Sequence, residues 1–114
     1  MALLVKKFGG TSIGSIDRIK AVANKVAENH YAGHEIVVTV SAMSGETNRL
    51  IALSQELHDQ PHARELDVLL STGEQVTIAL FCMALQEVGI KSRSYTGWQV
   101  PIVTDSAHGK ARIQ

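Results

Sequence analysis

Apolar and polar positions alternate between two periods along the chain, and the changes of period mark its elements. Leu3-Leu4-Val5 is a short apolar run that ends in Gly9-Gly10. A continuous apolar run bounded by glycine suits a strand buried on both faces. Ile16, Ile19, Val22, Ala23 and Val26 then recur three or four apart, which predicts a helix. Ser15 fits its N-cap, Asp17 its positive start, and Gly33 closes the segment. Ile36-Val37-Val38-Thr39-Val40 is the clearest strand pattern. Ser41 to Glu46 is turn-rich, and Thr47 or Ser44 is expected to cap the helix that Leu50, Leu53 and Leu57 define. Pro61 ends it.

A second helical region runs from about Arg64 to Val88, with an interruption expected at Ser71-Thr72-Gly73. Val76 to Leu85 is apolar almost all round, as in helices buried on most sides. Gly89 ends it, Lys91 to Tyr95 reads as another strand, and the tail from Ile102 to Ile113 as one or two short strands around Gly109. The order β-α-β-α-α-β predicts an α/β fold with a mostly parallel sheet and helices on both faces. Residues 1–114 form one unit, without repeat or flexible linker. Ligands of such folds sit at the carboxyl ends of strands. Two glycine- and hydroxyl-rich segments, Lys7 to Gly14 and Ser41 to Thr47, fall at such ends.

Charge narrows the partners. Lys plus Arg number 11 and Asp plus Glu number 11, so the formal net charge is 11 − 11 = 0. Phosphate contacts to nucleic acid need a basic excess, and so does electrostatic attachment to a membrane. No apolar run in this reading approaches the roughly 20 residues of a membrane span. Lys6-Lys7 follow the first apolar run, whereas a secretory signal puts its charge first. The single cysteine, Cys82, has no internal disulfide partner and reads as a buried thiol. A reducing cytoplasm fits these features. His30, His34, His58, His62 and His108 lack metal spacing and read as solvated surface groups.

Three segments carry candidate chemistry. In Lys7-Phe8-Gly9-Gly10-Thr11-Ser12, two glycines let the backbone approach a ligand, a helix start follows, and Lys7 adds a full charge. Such a set would hold a polyphosphate. It is neither a Walker A loop nor a dinucleotide fingerprint, and on spacing alone a plain strand-to-helix turn explains it equally well. Lys6 should face the opposite side as a solvated neighbour. In Ser41-Ala42-Met43-Ser44-Gly45-Glu46-Thr47-Asn48, small hydroxyl side chains could orient a polar ligand, although capping alone would account for them. In Leu70-Ser71-Thr72-Gly73-Glu74-Gln75, Glu74 is placed at a helix start, where it could accept from an ammonium or simply face the dipole.

Taken together, Lys7-Phe8-Gly9-Gly10-Thr11-Ser12, Val40-Ser41-Ala42-Met43 with Thr47, and Ser71-Thr72-Gly73-Glu74 resemble the successive N-terminal signatures of the aspartate kinase family, in its order and approximate spacing. The resemblance extends to Tyr95-Thr96-Gly97. Acetylglutamate and uridylate kinases of the same superfamily share a lysine-glycine start but not this set. The resemblance implies a three-layer α-β-α sandwich, the amino acid kinase fold, incomplete in this chain. It implies ATP as co-substrate with Mg²⁺, L-aspartate as acceptor, and a homo-oligomer at full length. It gives Lys7 a catalytic role on the ATP phosphates, with Phe8, Gly9, Gly10 and Ser41 also at the nucleotide. Thr47 and Glu74 would contact aspartate, Glu74 at its ammonium. Family members run to several hundred residues and continue into ACT regulatory domains, so this chain is expected to be a front part of the catalytic domain and inactive by itself. A non-catalytic phosphate- or amino-acid-binding module, or another amino acid kinase, are the alternatives.

Overall fold

A computed structural model describes residues 1–100 and 102–114. Strand β1 (Leu3–Phe8) leads through the glycine loop into helix α1 (Ile16–Tyr31), which returns the chain to strand β2 (Glu35–Val40). Helices α2 (Glu46–Leu57) and α3 (Ala63–Glu87) follow. The strands pair in parallel and in full register, from Leu3 against Glu35 to Phe8 against Val40. Parallel pairing requires a crossover, which α1 supplies. The Ser15 hydroxyl caps α1 by accepting from the Arg18 N–H, and Gly33 follows its end at φ 94°.

One face of the sheet is packed. Phe8, Ile36 and Val38 lie against a core of Ile19, Val22, Ala23 and Val26 from α1 and Phe81 and Leu85 from α3. Ile13, from the first loop, is fully buried in the same core. The other face carries Leu3, Val5 and Val37, at 63%, 72% and 50% exposure. The described residues thus supply a sheet and one helical layer, an incomplete version of the three-layer fold. The expectation of a first strand buried on both faces does not hold for these residues. The Cα radius of gyration is 16.0 Å, against about 13 Å for a compact domain of roughly this length.

Four further expectations are corrected. First, α3 is unbroken through Ser71-Thr72-Gly73. The hydroxyls that suggested a break instead donate backwards, Ser71 to the Val68 carbonyl at 2.8 Å and Thr72 to that of Leu69 at 2.7 Å. This is how such residues are accommodated inside helices. Unbroken, α3 is long and apolar enough to cross a membrane by length and composition alone. Here it lies along α1 and α2 instead. Second, its apolar run is not buried all round. Gly73, Thr77, Phe81 and Leu85 form one buried stripe, while Val76 and Met83 are 48% and 60% exposed.

Third, Lys91 to Tyr95 is not a strand. After Gly89 (φ 81°) turns the chain and Ile90 re-enters the core, the segment runs beside β2 across a cavity of about 560 Å³. Lys91-Ser92-Arg93-Ser94 has no apolar member to hold it on the sheet, so its register is unspecified. Fourth, the tail forms a single antiparallel bridge, Thr104 to Ile113, in place of strands. Asp67 on α3 anchors it, accepting from the Gly109 N–H at 2.9 Å with His108 Nδ1 at 3.3 Å.

The buried stripe sets an expected outcome. Phe81→Ala should lower unfolding free energy by about 3–5 kcal/mol, read as a shift in the midpoint of denaturant unfolding. Val76→Ala, on the same helix but half exposed, should change it by about 1 kcal/mol or less.

Candidate functional site

The full register of β1 and β2 puts both carboxyl ends at one edge. There the Ser41 N–H donates to the Phe8 carbonyl at 3.2 Å, tying the start of one loop to the start of the other. The first loop turns at once, with the Ser12 N–H donating to the Gly9 carbonyl at 3.1 Å. The second loop turns at Gly45, where φ is 80° and the Glu46 N–H donates to the Met43 carbonyl. Gly45 is the residue before α2, and no side chain caps that helix. The expected cap by Thr47 or Ser44 is therefore corrected. Their hydroxyls stay off the helix end, because glycine's positive φ makes the turn without them.

A cavity of about 360 Å³ opens between these loops and α3, lined by Gly10, Ser41 and Ala42, by Gly45, Thr47 and Asn48, and by Glu74. All three signature segments therefore meet at one place. Glu74 also borders a neighbouring cavity of about 420 Å³, together with Ser71, Thr39 and the Tyr95-Thr96-Gly97 stretch. Glu74 lies inside α3 and is exposed, so the helix-start reading of it falls.

Lys7, Phe8 and Gly9 do not line the 360 Å³ cavity. Lys7 is exposed, on the open sheet face with Leu3 and Val5. Lys6 points to the opposite face, as expected, but is half-buried there and not fully solvated. The Phe8 side chain packs on the core, which leaves its backbone as the part nearest the loops. Asn48 is a cavity residue to which the sequence assigned no role, and Ser44 is one that it read only as a helix cap. Both lie within a recognised segment, so the available signal was their hydroxyl and amide chemistry.

The histidines lie at the surface as expected, all but His34 exposed, and three of them have backbone partners. Nδ1 of His34, His58 and His62 accepts from the backbone N–H of Ala2, Gln60 and Arg64 respectively. Among the described residues no group of three or more His, Cys, Asp or Glu is gathered to hold a metal. Cys82 is half-buried and lines the large cavity beside β2.

Comparison with known proteins decides the family. The model of the amino acid kinase family matches residues 2–113. The chain belongs to the amino acid kinase family. Among curated relatives, the chain is 64% identical to an aspartate kinase of Pseudomonas putida over 113 residues. The match takes in 99% of the chain and 28% of that relative's length. A crystal structure of aspartate kinase from Synechocystis superposes on 82% of the chain with a TM-score of 0.79 at 48% identity, and the match takes in 16% of that structure's chain. The R-state structure of E. coli aspartokinase III in complex with aspartate and ADP covers 98% of the chain with a TM-score of 0.83. At 21% identity it shows a shared fold, over 35% of its own chain.

One electrostatic feature flanks the site. Arg49 donates two hydrogen bonds to the Glu46 carboxylate, at 3.0 and 2.6 Å. That hydrogen bonding holds the Glu46 carboxyl below the usual carboxylate range, against an opposing effect of burial, and the guanidinium charge adds a smaller lowering. Its folded pKa is depressed, so the pair's contribution is present above the unfolded value of about 4.3 and fades as pH falls through the lower folded value. Glu46→Gln should therefore shrink the loss of melting temperature between neutral and acidic pH. The effect should be small, because exposed pairs are weak. Thermal melts of both proteins across that range check it.

Proposed function

We propose that this chain works as part of an aspartate kinase, which transfers the γ-phosphate of ATP to the side-chain carboxylate of L-aspartate to give 4-phospho-L-aspartate. In metabolism that is the first step toward lysine, threonine, methionine and diaminopimelate. The observation that carries the reading is the meeting of Gly10, Ser41, Thr47 and Glu74 around one cavity at the carboxyl ends of parallel strands. The identity to an aspartate kinase along 99% of the chain supports the acceptor. The aspartate and ADP held by the E. coli neighbour agree with this pair of ligands.

The chemistry asks for positioning more than for bond-making groups. A carboxylate oxygen of aspartate attacks the γ-phosphorus, and the bond from that phosphorus to the bridging oxygen of ADP breaks. The attacking carboxylate is already ionised at neutral pH, so no general base is required. Lys7, from the end of β1, would offset charge on the transferring group, and Gly9 and Gly10 would bring backbone N–H groups to the phosphates. Phe8 would take part through its backbone, and Ser41 would stand near the nucleotide. Thr47 would contact aspartate, and Glu74 would accept from its ammonium. Mg²⁺ would come with the phosphates, where it commonly keeps several waters and needs only one or two carboxylates. The working enzyme would be cytoplasmic and homo-oligomeric.

The reading is tested in a hybrid in which residues 2–113 replace the matching segment of the Pseudomonas putida aspartate kinase. Lys7→Met should lower kcat by roughly 10²-fold, about 3 kcal/mol. Its melting temperature should barely move, since Lys7 is exposed. An unchanged kcat would remove Lys7 from the mechanism and turn attention to Lys6.

Glu74→Gln keeps the side chain's size and loses its charge. Aspartate KM should rise roughly 10- to 100-fold, the worth of a charge-assisted hydrogen bond of about 1.5–3 kcal/mol. ATP KM should stay nearly constant. Steady-state kinetics with each substrate varied in turn gives the answer, and an unaltered aspartate KM would reject the role.

A further inference from the structure

Three glycines converge on the loop that follows β2. A Cβ at Gly10 would lie 3.1 Å from the Ala42 carbonyl oxygen, and one at Gly14 would lie 3.0 Å from the Ser44 Cβ. On the opposite side, a Cβ at Gly73 would lie 3.0 Å from the Ala42 Cβ and 3.7 Å from Glu46 Cγ and Leu50 Cδ1. The loop is thus held between the first loop and α3 at distances that leave no room for side chains.

Gly73 is the least expected of the three. It is buried inside an α-helix, where alanine is the better helix former. No proline interrupts α3, and the helix runs unbroken through Gly73. The fully buried Thr77 donates its hydroxyl to the Gly73 carbonyl at 3.2 Å, so this turn is fixed from the inside as well. Ala42 has little freedom to retreat, being 6% exposed and backed by Gly10. The residue after Gly73 is Glu74, which borders the cavity that Ala42 also lines.

We propose that Gly73 is a positioning residue for the acceptor. Its missing Cβ lets α3 seat against Ala42, and that seating sets how far the Glu74 carboxylate reaches toward Thr47 and Asn48. A methyl group at position 73 must separate helix and loop by a few tenths of an ångström, and Glu74 travels with the helix backbone. The proposal rests on the reading that Glu74 holds the aspartate ammonium.

The hybrid enzyme tests it. Gly73→Ala should raise aspartate KM by roughly 5- to 20-fold, less than the 10²-fold that a full 1 Å misplacement can cost, with ATP KM within about twofold. Adding Ala42→Gly removes the opposing methyl and should return aspartate KM most of the way to the parent value. A purely structural role, in which only helix propensity counts, gives an equal or higher melting temperature, no change in KM and no rescue. An unchanged aspartate KM in Gly73→Ala overturns the proposal, and so does a raised KM that Ala42→Gly fails to restore. Should Gly73→Ala prove insoluble, the double variant decides. Soluble double variant with parent-like aspartate KM supports the spacer, and an insoluble one rejects it. Glu74→Gln is measured alongside. If it leaves aspartate KM unmoved, the acceptor reading fails and takes the proposal with it. If it raises KM while Gly73→Ala does not, the spacer alone is rejected.

Discussion

The parallel pairing of β1 with β2 is the constraint from which the rest follows. Parallel neighbours cannot be joined by a tight turn, so the chain must cross over, and α1 does so on one face. An amphipathic crossover helix needs a second surface, which Phe81 and Leu85 of α3 provide. The same pairing fixes where the loops emerge. With Phe8 opposite Val40, the glycine loop and the Ser41–Asn48 loop leave the sheet side by side, tied by a backbone hydrogen bond. A shift of one residue in register would invert every side chain of a strand and separate the loops from the faces they use. The site is in this sense a product of strand alignment, and α3 closes it from the third side.

Much of this was legible in the order of residues. Both strands, the Ser15 cap and the Gly33 stop of α1 follow from periodicity and local capping chemistry, which depend on near neighbours in sequence. The three signature segments were visible as strings, and two of them lay at strand ends by pattern alone. The errors share a cause. Ser71, Thr72 and Gly73 look like a break because hydroxyls and glycine favour turns, but each serves α3, two by back-bonding and one by close packing on Ala42. Lys91 to Tyr95 looks extended, but pairing needs a face that packs, and its charged and hydroxyl residues provide none. Which face of the sheet is covered cannot be read from apolar runs at all, since Leu3 and Leu4 look alike in sequence and differ in burial.

The cavity residues show the same division. Ser41, Thr47 and Glu74 were identified as candidates by chemical type and by resemblance, and the fold gathers them with Gly10. Lys7 stands apart from that wall, because the strand's alternation turns it to the open face while Lys6 turns inward. Strand alternation already sends the two lysines to opposite faces in sequence. Geometry adds which face is covered, Lys7 being exposed and Lys6 half-buried on the packed side.

The open face has an electrical consequence for Lys7. Two unit charges 4 Å apart interact by about 1 kcal/mol in bulk water and by about 4 kcal/mol where the effective dielectric falls to about 20, as near a protein surface. Lys7 shares its face with Leu3 and Val5, both more than half exposed. Its ammonium therefore exerts the weaker field while that face is wet. Any layer laid across Leu3, Val5 and Val37 would lower the surrounding dielectric and strengthen the lysine's pull on any nearby anion without moving a single bond of β1.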